Sequence, residues 1–279
     1  MSAIRCAEGQ ADLERCVEIF NAVDPAHPIA LGDMEEARGR FLLADGGYAY
    51  VADSSLANWQ YAMVRVRPDA RRRGEGTALL RAAADEARQS GKAGMVGRVD
   101  CEDTGSRAWA GVVGFEETRQ DVELLRQLQP GDGEIADGIV PLSAERLADA
   151  YAVEVECVPD VPATVPMVAD PFELWRERTE RKAVVFVALE DGGVVGLVTL
   201  EHLHGTPQRL EHGLTAVLRS HRGRGIATKL KSAAIAWAAA NGYRELITFT
   251  DTTNVAMRKV NVRLGFVETL GPIVVERSL

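Results

Sequence analysis

Arg71-Arg72-Arg73-Gly74-Glu75-Gly76 recurs 151 residues later as Arg222-Gly223-Arg224-Gly225-Ile226-Ala227. Each copy follows an apolar, strand-like run and opens an alanine-rich, helix-like one. The same offset carries Gly91, Gly114, Phe115, Glu117 and Thr118 onto Gly242, Gly265, Phe266, Glu268 and Thr269. Register kept over so long a stretch marks a repeated fold rather than a repeated loop. A glycine-rich turn that feeds a helix gathers unpaired backbone N–H groups at the positive end of the helix dipole, and so attracts anions. The chain carries two candidate phosphate cradles.

A length of 279 residues suffices for two domains, each with its own core. The clearest break is Gln129-Pro130-Gly131-Asp132-Gly133-Glu134, rich in turn formers and without apolar periodicity. The expected division is a domain over 1–128, a linker over 129–138 and a second domain over 139–279. Near the domain starts the offset is only 134 (Leu13 with Leu147), so the second half gains residues before its motif. Most of them lie in Val158–Phe172, which holds four prolines.

The net charge of −9 is shared: 16 basic and 21 acidic residues up to position 130, 16 and 20 beyond it. Neither half is a basic nucleic-acid module. Against this acidic background the clusters at Arg71–Arg73 and Arg219–Arg224 favour a small polyanion over a long one. No long uncharged apolar run suggests a membrane span, and charged residues from Arg5 to Glu18 leave no room for a signal peptide core. A cytoplasmic protein, monomeric or homodimeric, is expected. Cys6, Cys16, Cys101 and Cys157 lack CxxC spacing, which points to reduced thiols and no metal site.

Val184–Leu189 and Val194–Leu200 around Glu190-Asp191-Gly192-Gly193 read as a hairpin, and Leu210–Leu218 as the strand before the second motif. Ile226, Leu230, Ala234 and Trp237 form one helical stripe that ends at Asn241-Gly242. Leu246–Thr250 reads as a strand and Asn254–Leu264 as a helix with Met257, Val260, Asn261 and Leu264 inward. Both halves give the order strand, strand, strand, helix, strand, helix, strand.

The motif is neither a Walker A loop, since no lysine follows Gly76 or Gly225, nor a dinucleotide fingerprint, since the third glycine is missing. What remains is Arg-x-x-Gly-x-Gly/Ala after a strand, with Val66 or Val217 five residues before the Arg and Gly-Phe 43 residues after it. This pattern resembles the GNAT superfamily of acyl-CoA-dependent N-acyltransferases, over nearly the whole chain, in the tandem form found in mycothiol synthase. The resemblance implies an α/β (α+β) fold: two tandem domains, each a mixed, mostly antiparallel sheet flanked by helices. It implies acetyl-CoA as donor, with Arg219, Arg222, Gly223, Arg224, Gly225, Ile226 and Ala227 around the pyrophosphate. It places Thr215, Val217, Asn254 and Asn261 along the pantetheine arm and makes Val217 the oxyanion position. Arg71, Arg72, Gly74 and Gly76 are the matching cofactor residues of the first half.

Acyl transfer to an amine asks for a base, donors aimed at the oxyanion and a proton for the thiolate. The family places a Glu six residues before the Val217 position, and here it is Glu211. Strand alternation predicts Glu211, Thr215 and Val217 on one face unless Gly213 forms a bulge. The 151-residue offset maps Glu211, Asn254 and Asn261 onto Gln60, Asp103 and Ala110, so the first half is expected to be a degenerate scaffold and the second catalytic. Structural alternatives stand beside each role: a solvated edge carboxylate for Glu211, a helix N-cap for Asn254, a satisfied core amide for Asn261. Asn261 stands where many relatives place an acidic Tyr, which leaves water, Tyr243 or His212 to supply the proton. The acceptor side is expected to hold a lid of Val161, Val165, Met167, Phe172 and Trp175 with a rim of Glu154, Glu156, Asp160 and Asp170, suited to a small cationic amine or simply packed on the first domain. The leading expectation is acetylation of a primary amine in a ternary complex. An acyl-CoA sensor without turnover and transfer of a bulkier acyl or aminoacyl group are the alternatives.

Overall fold

The computed structural model describes residues 4–279. In chain order its elements are β1 (Arg5–Cys6), α1 (Gly9–Val23), α2 (Leu31–Glu36), β2 (Arg40–Leu43), β3 (Gly47–Asp53), β4 (Trp59–Val66), α3 (Glu75–Gln89), β5 (Gly94–Val99), α4 (Thr104–Val112) and β6 (Glu116–Gln127). The second half follows with β7 (Ile139–Pro141), α5 (Leu147–Cys157), α6 (Phe172–Glu180), β8 (Val184–Glu190), β9 (Gly193–His202), β10 (Arg209–Val217), α7 (Ile226–Ala240), β11 (Glu245–Asp251), α8 (Val255–Arg263) and β12 (Val267–Ser278). They form two compact units. Unit 1 runs to Arg119 and adds His204–Thr206 and Pro272–Leu279; unit 2 is Gln120–Leu203 with Pro207–Gly271.

Each unit has a mixed, mostly antiparallel sheet, as the resemblance implies. The order in unit 1 is β1-β2-β3-β4-β5 followed by the end of β12, with β4 and β5 parallel. In unit 2 it is β7-β8-β9-β10-β11 followed by β6, with β10 and β11 parallel. Helices cover both faces. In unit 2, α7 buries Leu230, Ala234 and Ile235 against Leu200, Leu210 and Leu246, while α5 and α6 bury Ala150, Val153 and Trp175 against Val187 and Leu197. In unit 1, α3 covers Ala49 and Met95 with Leu79 and Ala83, and α1 and α2 cover Phe41 and Tyr48 with Ile19 and Met34. Each large apolar side chain so buried contributes about 1.5–3 kcal/mol.

The last strand of each half completes the sheet of the other unit. Ile273–Ser278 of β12 pairs antiparallel with Val99–Gly94 of β5, and Asp121–Gln127 of β6 pairs with Asp251–Glu245 of β11. Arg126 and Arg277, equivalent in the repeat, travel with their strands. The Arg126 guanidinium donates to the Leu264 carbonyl beside Gly265, and Arg277 lies by Gly114, where a Cβ would come within 3.6 Å of its Nε. The compact units therefore differ from the contiguous spans 1–128 and 139–279 by the exchanged strand ends and by His204–Thr206, which joins unit 1. Nothing local forbids this, because two strands of similar pattern fit either sheet.

The central parallel pairs are short. β10 pairs with β11 only at Arg209, Leu210 and Glu211, and β4 with β5 only at Trp59, Gln60 and Tyr61, after which the strands part. β10 also carries a bulge: His212 faces Leu200 on β9, but Thr215 faces Val198, so one extra residue lies between. Gly213 makes this possible, since a Cβ there would lie 2.5 Å from Thr199 Oγ1 and 2.6 Å from Glu201 Oε1. β4 pairs with β3 without interruption. The bulge overturns the expected shared face. Glu211, opposite Glu201, lies on the α5–α6 side of the sheet, whereas Thr215 and Val217 lie on the α7 side.

Candidate functional site

The motif of unit 2 joins β10 to α7 as a tight turn. Gly223 (φ 77°) and Gly225 (φ 81°) adopt left-handed backbone, and a Cβ on either would meet nothing within 4 Å, so glycine serves the backbone angle rather than the space. Gly225 caps α7 and no side chain caps the helix, which leaves the first-turn amides at Ile226 and Ala227 directed outward. Arg222 Nε donates to the Val217 carbonyl at 2.9 Å and pins the turn to the strand end. Asp160 accepts from Arg219 Nε and Nη2 at 2.9 and 2.6 Å and lies 2.7 Å from Arg222 Nη2. Those two guanidinium groups hold its carboxyl at about 2. Glu156 accepts the Arg219 backbone N–H at 2.9 Å, and Arg224 pairs with Glu190 at 3.2 Å. Glu156 and Asp160, expected on an acceptor rim, pair with the arginines of the candidate cradle.

Unit 1 repeats the turn with differences. Arg71 Nε donates to the Val66 carbonyl at 3.1 Å and Gly74 (φ 87°) caps α3. Arg72 holds φ 65° where unit 2 has Gly223, a conformation that costs a non-glycine residue about 1–2 kcal/mol. The Gly76 position, Ala227 in unit 2, has room for a Cβ, its nearest neighbour being Val66 at 3.5 Å. Glu75 stands in the first turn of α3, its carboxylate accepting the Gly46 N–H at 3.1 and 3.2 Å. A carboxylate there already answers the helix dipole and repels a second anion. Ile226 occupies this position in unit 2.

From the cradle the edge of β10 leads back to the parting of the strands. Leu218 N–H donates to the Val195 carbonyl at 2.9 Å, so by alternation Thr215 and Val217 turn their backbone groups to the edge that β11 leaves. The Val217 carbonyl also accepts from the buried Cys157 thiol at 3.3 Å. On the opposite side of the sheet, Glu211 is half-buried beside Glu201, which pairs with Lys182. Nearby in the same layer, Glu154 on α5 accepts from the Trp175 indole on α6, and burial pushes its carboxyl up. Tyr151 donates to the Asp170 carbonyl at 2.8 Å, meets Phe172 edge-on and lies tilted against Trp175.

The bulge also corrects the match between halves. Tyr61 pairs with Val96 and Glu211 with Ile247 as the last rungs of their parallel pairs, so Tyr61, not Gln60, stands in the place of Glu211. Gln60 corresponds to Leu210 and is 5% exposed, its Oε1 without a hydrogen-bond partner. Unit 1 still has no carboxylate there. Asn254 caps α8 by accepting the Met257 N–H at 3.3 Å, and Asp103 caps α4 by accepting the Ser106 N–H at 2.9 Å. The change from Asn to Asp preserves that structural task and does not mark a loss.

Asn261 is 1% exposed and neither atom of its amide has a partner; Thr215 Oγ1 is likewise buried and unpartnered. The expected satisfied core amide is therefore absent. Close by is a residue the sequence reading missed. Lys231 on α7 is 1% exposed, with its Nζ 3.3 Å from each ring nitrogen of His212 and 5.8 Å from the Phe266 ring centre. Burial lowers its ammonium to about 7 and, together with Lys231, lowers His212 well below the usual imidazole range. Comparison of the halves holds the signal: Leu80 stands where Lys231 does, and Ala62 where His212 does. Tyr243 stacks on Trp237 at the far end of α7, away from this cluster.

A mixed sheet whose central parallel pair parts beside a glycine-capped helix, built twice in one chain, is the architecture of a tandem acetyltransferase. The models of the acetyltransferase (GNAT) domain and the acetyltransferase (GNAT) family match residues 124–267 and 15–115. The chain belongs to the GNAT acetyltransferase family. It is similar in structure to a GCN5-related N-acetyltransferase from Sphaerobacter thermophilus (TM-score 0.75, 20% identity, 99% of this chain and 95% of the other). A tandem GNAT protein from the clavulanic acid biosynthesis pathway gives a TM-score of 0.74 at 18% identity, over 99% and 98% of the two chains. In sequence, N-alpha-acetyltransferase 30 of Schizosaccharomyces pombe is 35% identical over 83 residues, 29% of this chain and about half (55%) of that relative.

Proposed function

We propose that unit 2 is an acetyl-CoA-dependent N-acetyltransferase acting on a primary amine of a small, cationic molecule. The observation that carries this reading is the bulge at Gly213, which sets Glu211 on one side of the sheet and the backbone edge at Thr215 and Val217 toward the parted strands. Donor and acceptor can then approach from opposite faces without sharing space.

The residues present fit such a donor: an uncapped, glycine-lined helix start and buried polar atoms without partners along the path from it. Arg219, Arg222, Gly223, Arg224, Gly225, Ile226 and Ala227 would hold the pyrophosphate, and Thr215, Val217, Asn254 and Asn261 the pantetheine arm. Acetyl-CoA supplies the activated acetyl thioester. Glu211 takes the proton of the acceptor ammonium, directly or through water, so that the amine can attack in a ternary complex. The Val217 N–H, expected to meet the oxyanion, stands at the cradle end of this edge, so the donor for the developing oxyanion is drawn instead from the edge near the Gly213 bulge, where the acyl end of the arm would lie. Glu154, Glu201 and Glu211 make the acceptor side acidic, which favours a cation. In unit 1, Arg71, Arg72, Gly74 and Gly76 would hold coenzyme A more weakly, because Glu75 stands in the way.

A cytoplasmic location, a monomer or homodimer, and no membrane or nucleic-acid partner complete the proposal, as does the likeness to mycothiol synthase. Among the described residues no helix is long and apolar enough to cross a membrane. The test is thiol release from acetyl-CoA with a panel of small amines and peptide N-termini, comparing the wild type with Glu211→Gln. A fall of about 10²–10³-fold in turnover with CoA binding retained is expected. Unchanged turnover removes Glu211 from the mechanism, and CoA binding without turnover on any amine favours the sensor.

A further inference from the structure

On the α7 side of the parting, unit 2 buries polar groups that its fold does not need. Lys231, His212 and Asn261 are each 1% exposed, and the Thr215 hydroxyl oxygen is buried with them. An ammonium has three protons to donate, yet among the described residues the hydrogen-bond partner of Lys231 is His212, and no carboxylate pairs with it. Buried charge without a partner is unfavourable, and buried amides and hydroxyls are almost always bonded. Unit 1 shows that the same scaffold works with Leu80 and Ala62 in these places. The polar set of unit 2 is therefore an addition with a use other than folding.

Its position says what it meets. The cradle lies at the C-terminal end of β10, and the edge from Val217 back to Gly213 measures about 13 Å at the ordinary rise of a strand. That edge ends at His212, the residue after the last β10–β11 rung. A pantetheine arm laid along it as an added strand brings its acyl end to His212 and to Lys231, 3.3 Å from it. The buried polar groups on this side can all donate: the Lys231 ammonium, the Asn261 amide nitrogen and the Thr215 hydroxyl. The groups facing Lys231 are His212 from β10, which is neutral, and Phe266 next to α8.

We propose that the acyl end of this site accepts an acyl group that itself ends in a carboxylate, such as a malonyl or succinyl group, with Lys231 as its ion-pair partner. The proposal rests on the acyltransferase reading and adds a second class of donor to it. His212, 3.3 Å from the Lys231 amine, accepts from it and orients it toward the carboxylate, while Asn261 and Thr215 stay with the pantetheine arm.

Isothermal titration of the full chain with acetyl-CoA, malonyl-CoA and succinyl-CoA tests this, in the wild type and in Lys231→Met and Lys231→Arg. The wild type should bind one of the two carboxylated donors at least about ten-fold more tightly than acetyl-CoA, the worth of one buried charge-assisted hydrogen bond. Lys231→Met should bring that ratio close to one, while Lys231→Arg keeps part of it. Binding of the carboxylated donor at pH 8 should also take up a proton, read as a dependence of the enthalpy on the buffer. Leu80 shows that an apolar side chain is tolerated here, so a folded Met variant is expected, with its melting curve as the check. Equal binding of all three donors by the wild type, or a preference that survives Lys231→Met, overturns the proposal. Failure of the protein to bind any of the three overturns the acyltransferase reading itself.

Discussion

Glu211 and Thr215 lie four residues apart on one strand and point to opposite faces of the sheet. Regular alternation would put them on the same face; the extra residue after His212 separates them. The bulge thus turns one strand into a divider between a carboxylate layer and a donor edge. Gly213 is the residue that permits it.

Gly213→Ala should therefore cost stability as well as activity. The new Cβ would meet Thr199 Oγ1 at 2.5 Å and Glu201 Oε1 at 2.6 Å, which forces the strands apart or straightens the bulge. A loss of about 1–3 kcal/mol is expected in denaturant unfolding. Gly205 and other crowded glycines would show similar losses, so the specific readout is a fall in turnover larger than the loss of folded protein.

Asp160 holds Arg219 and Arg222 together and offsets their charge in the cradle. Asp160→Asn should tighten binding of CoA about two- to five-fold at low ionic strength, an advantage that fades as salt is added. Its carboxyl lies at about 2, below the ordinary carboxylate value, so its contribution to stability is present above about pH 4 and lost as pH falls toward 2. Asn should flatten that acid limb slightly, since the pair is largely exposed.

Lys231 gives the opposite end of the pH range. Its ammonium is lowered to about 7 in the folded chain, so between about pH 7 and 10.5 the unfolded chain binds more protons and stability rises with pH. Below about 7 the penalty is complete. Lys231→Met should remove this slope and raise stability at neutral pH, on the order of 3–5 kcal/mol by linkage. His212 acts in the same direction at lower pH, because the unfolded imidazole takes up a proton that the buried one refuses. Melting temperatures of both chains across pH 6–10 check the prediction; parallel curves would refute it.

The exchanged strand makes a prediction about cooperativity. Deleting Pro272–Leu279 removes the partner of β5 in unit 1, although these residues follow unit 2 in sequence. Hydrogen exchange should show lost protection in Gly94–Val99, with β8, β9 and β10 of unit 2 losing much less. Loss confined to unit 2 would contradict the strand assignment.

Much of the fold is legible in local sequence. Glycines at 74, 223 and 225 announce left-handed turns whatever surrounds them, the alanine-rich stripes announce α3 and α7, and the doubled motif with its Gly-Phe marks the family. Asn254 and Asp103 stand before apolar helical stripes and could be read as caps from that alone. The candidate cradle is legible for the same reason, since it is built from consecutive residues.

What sequence could not give is set by partners distant along the chain. The 151-residue offset counts residues but cannot see that one of them is bulged out, so it pointed from Glu211 to Gln60 when strand register points to Tyr61. Equally, it could not tell which sheet β6 or β12 joins, because pairing energy is similar for strands of like pattern. Lys231 drew no notice in the sequence, because nothing local to a helix lysine marks it as buried. The sequence by itself determined the repeat, the family, the two candidate cradles and the presence of Glu211. Only the tertiary structure decided which face Glu211 serves, which strand completes each sheet, and which polar groups are buried without a partner, since register, pairing and burial belong to residues brought together from far apart.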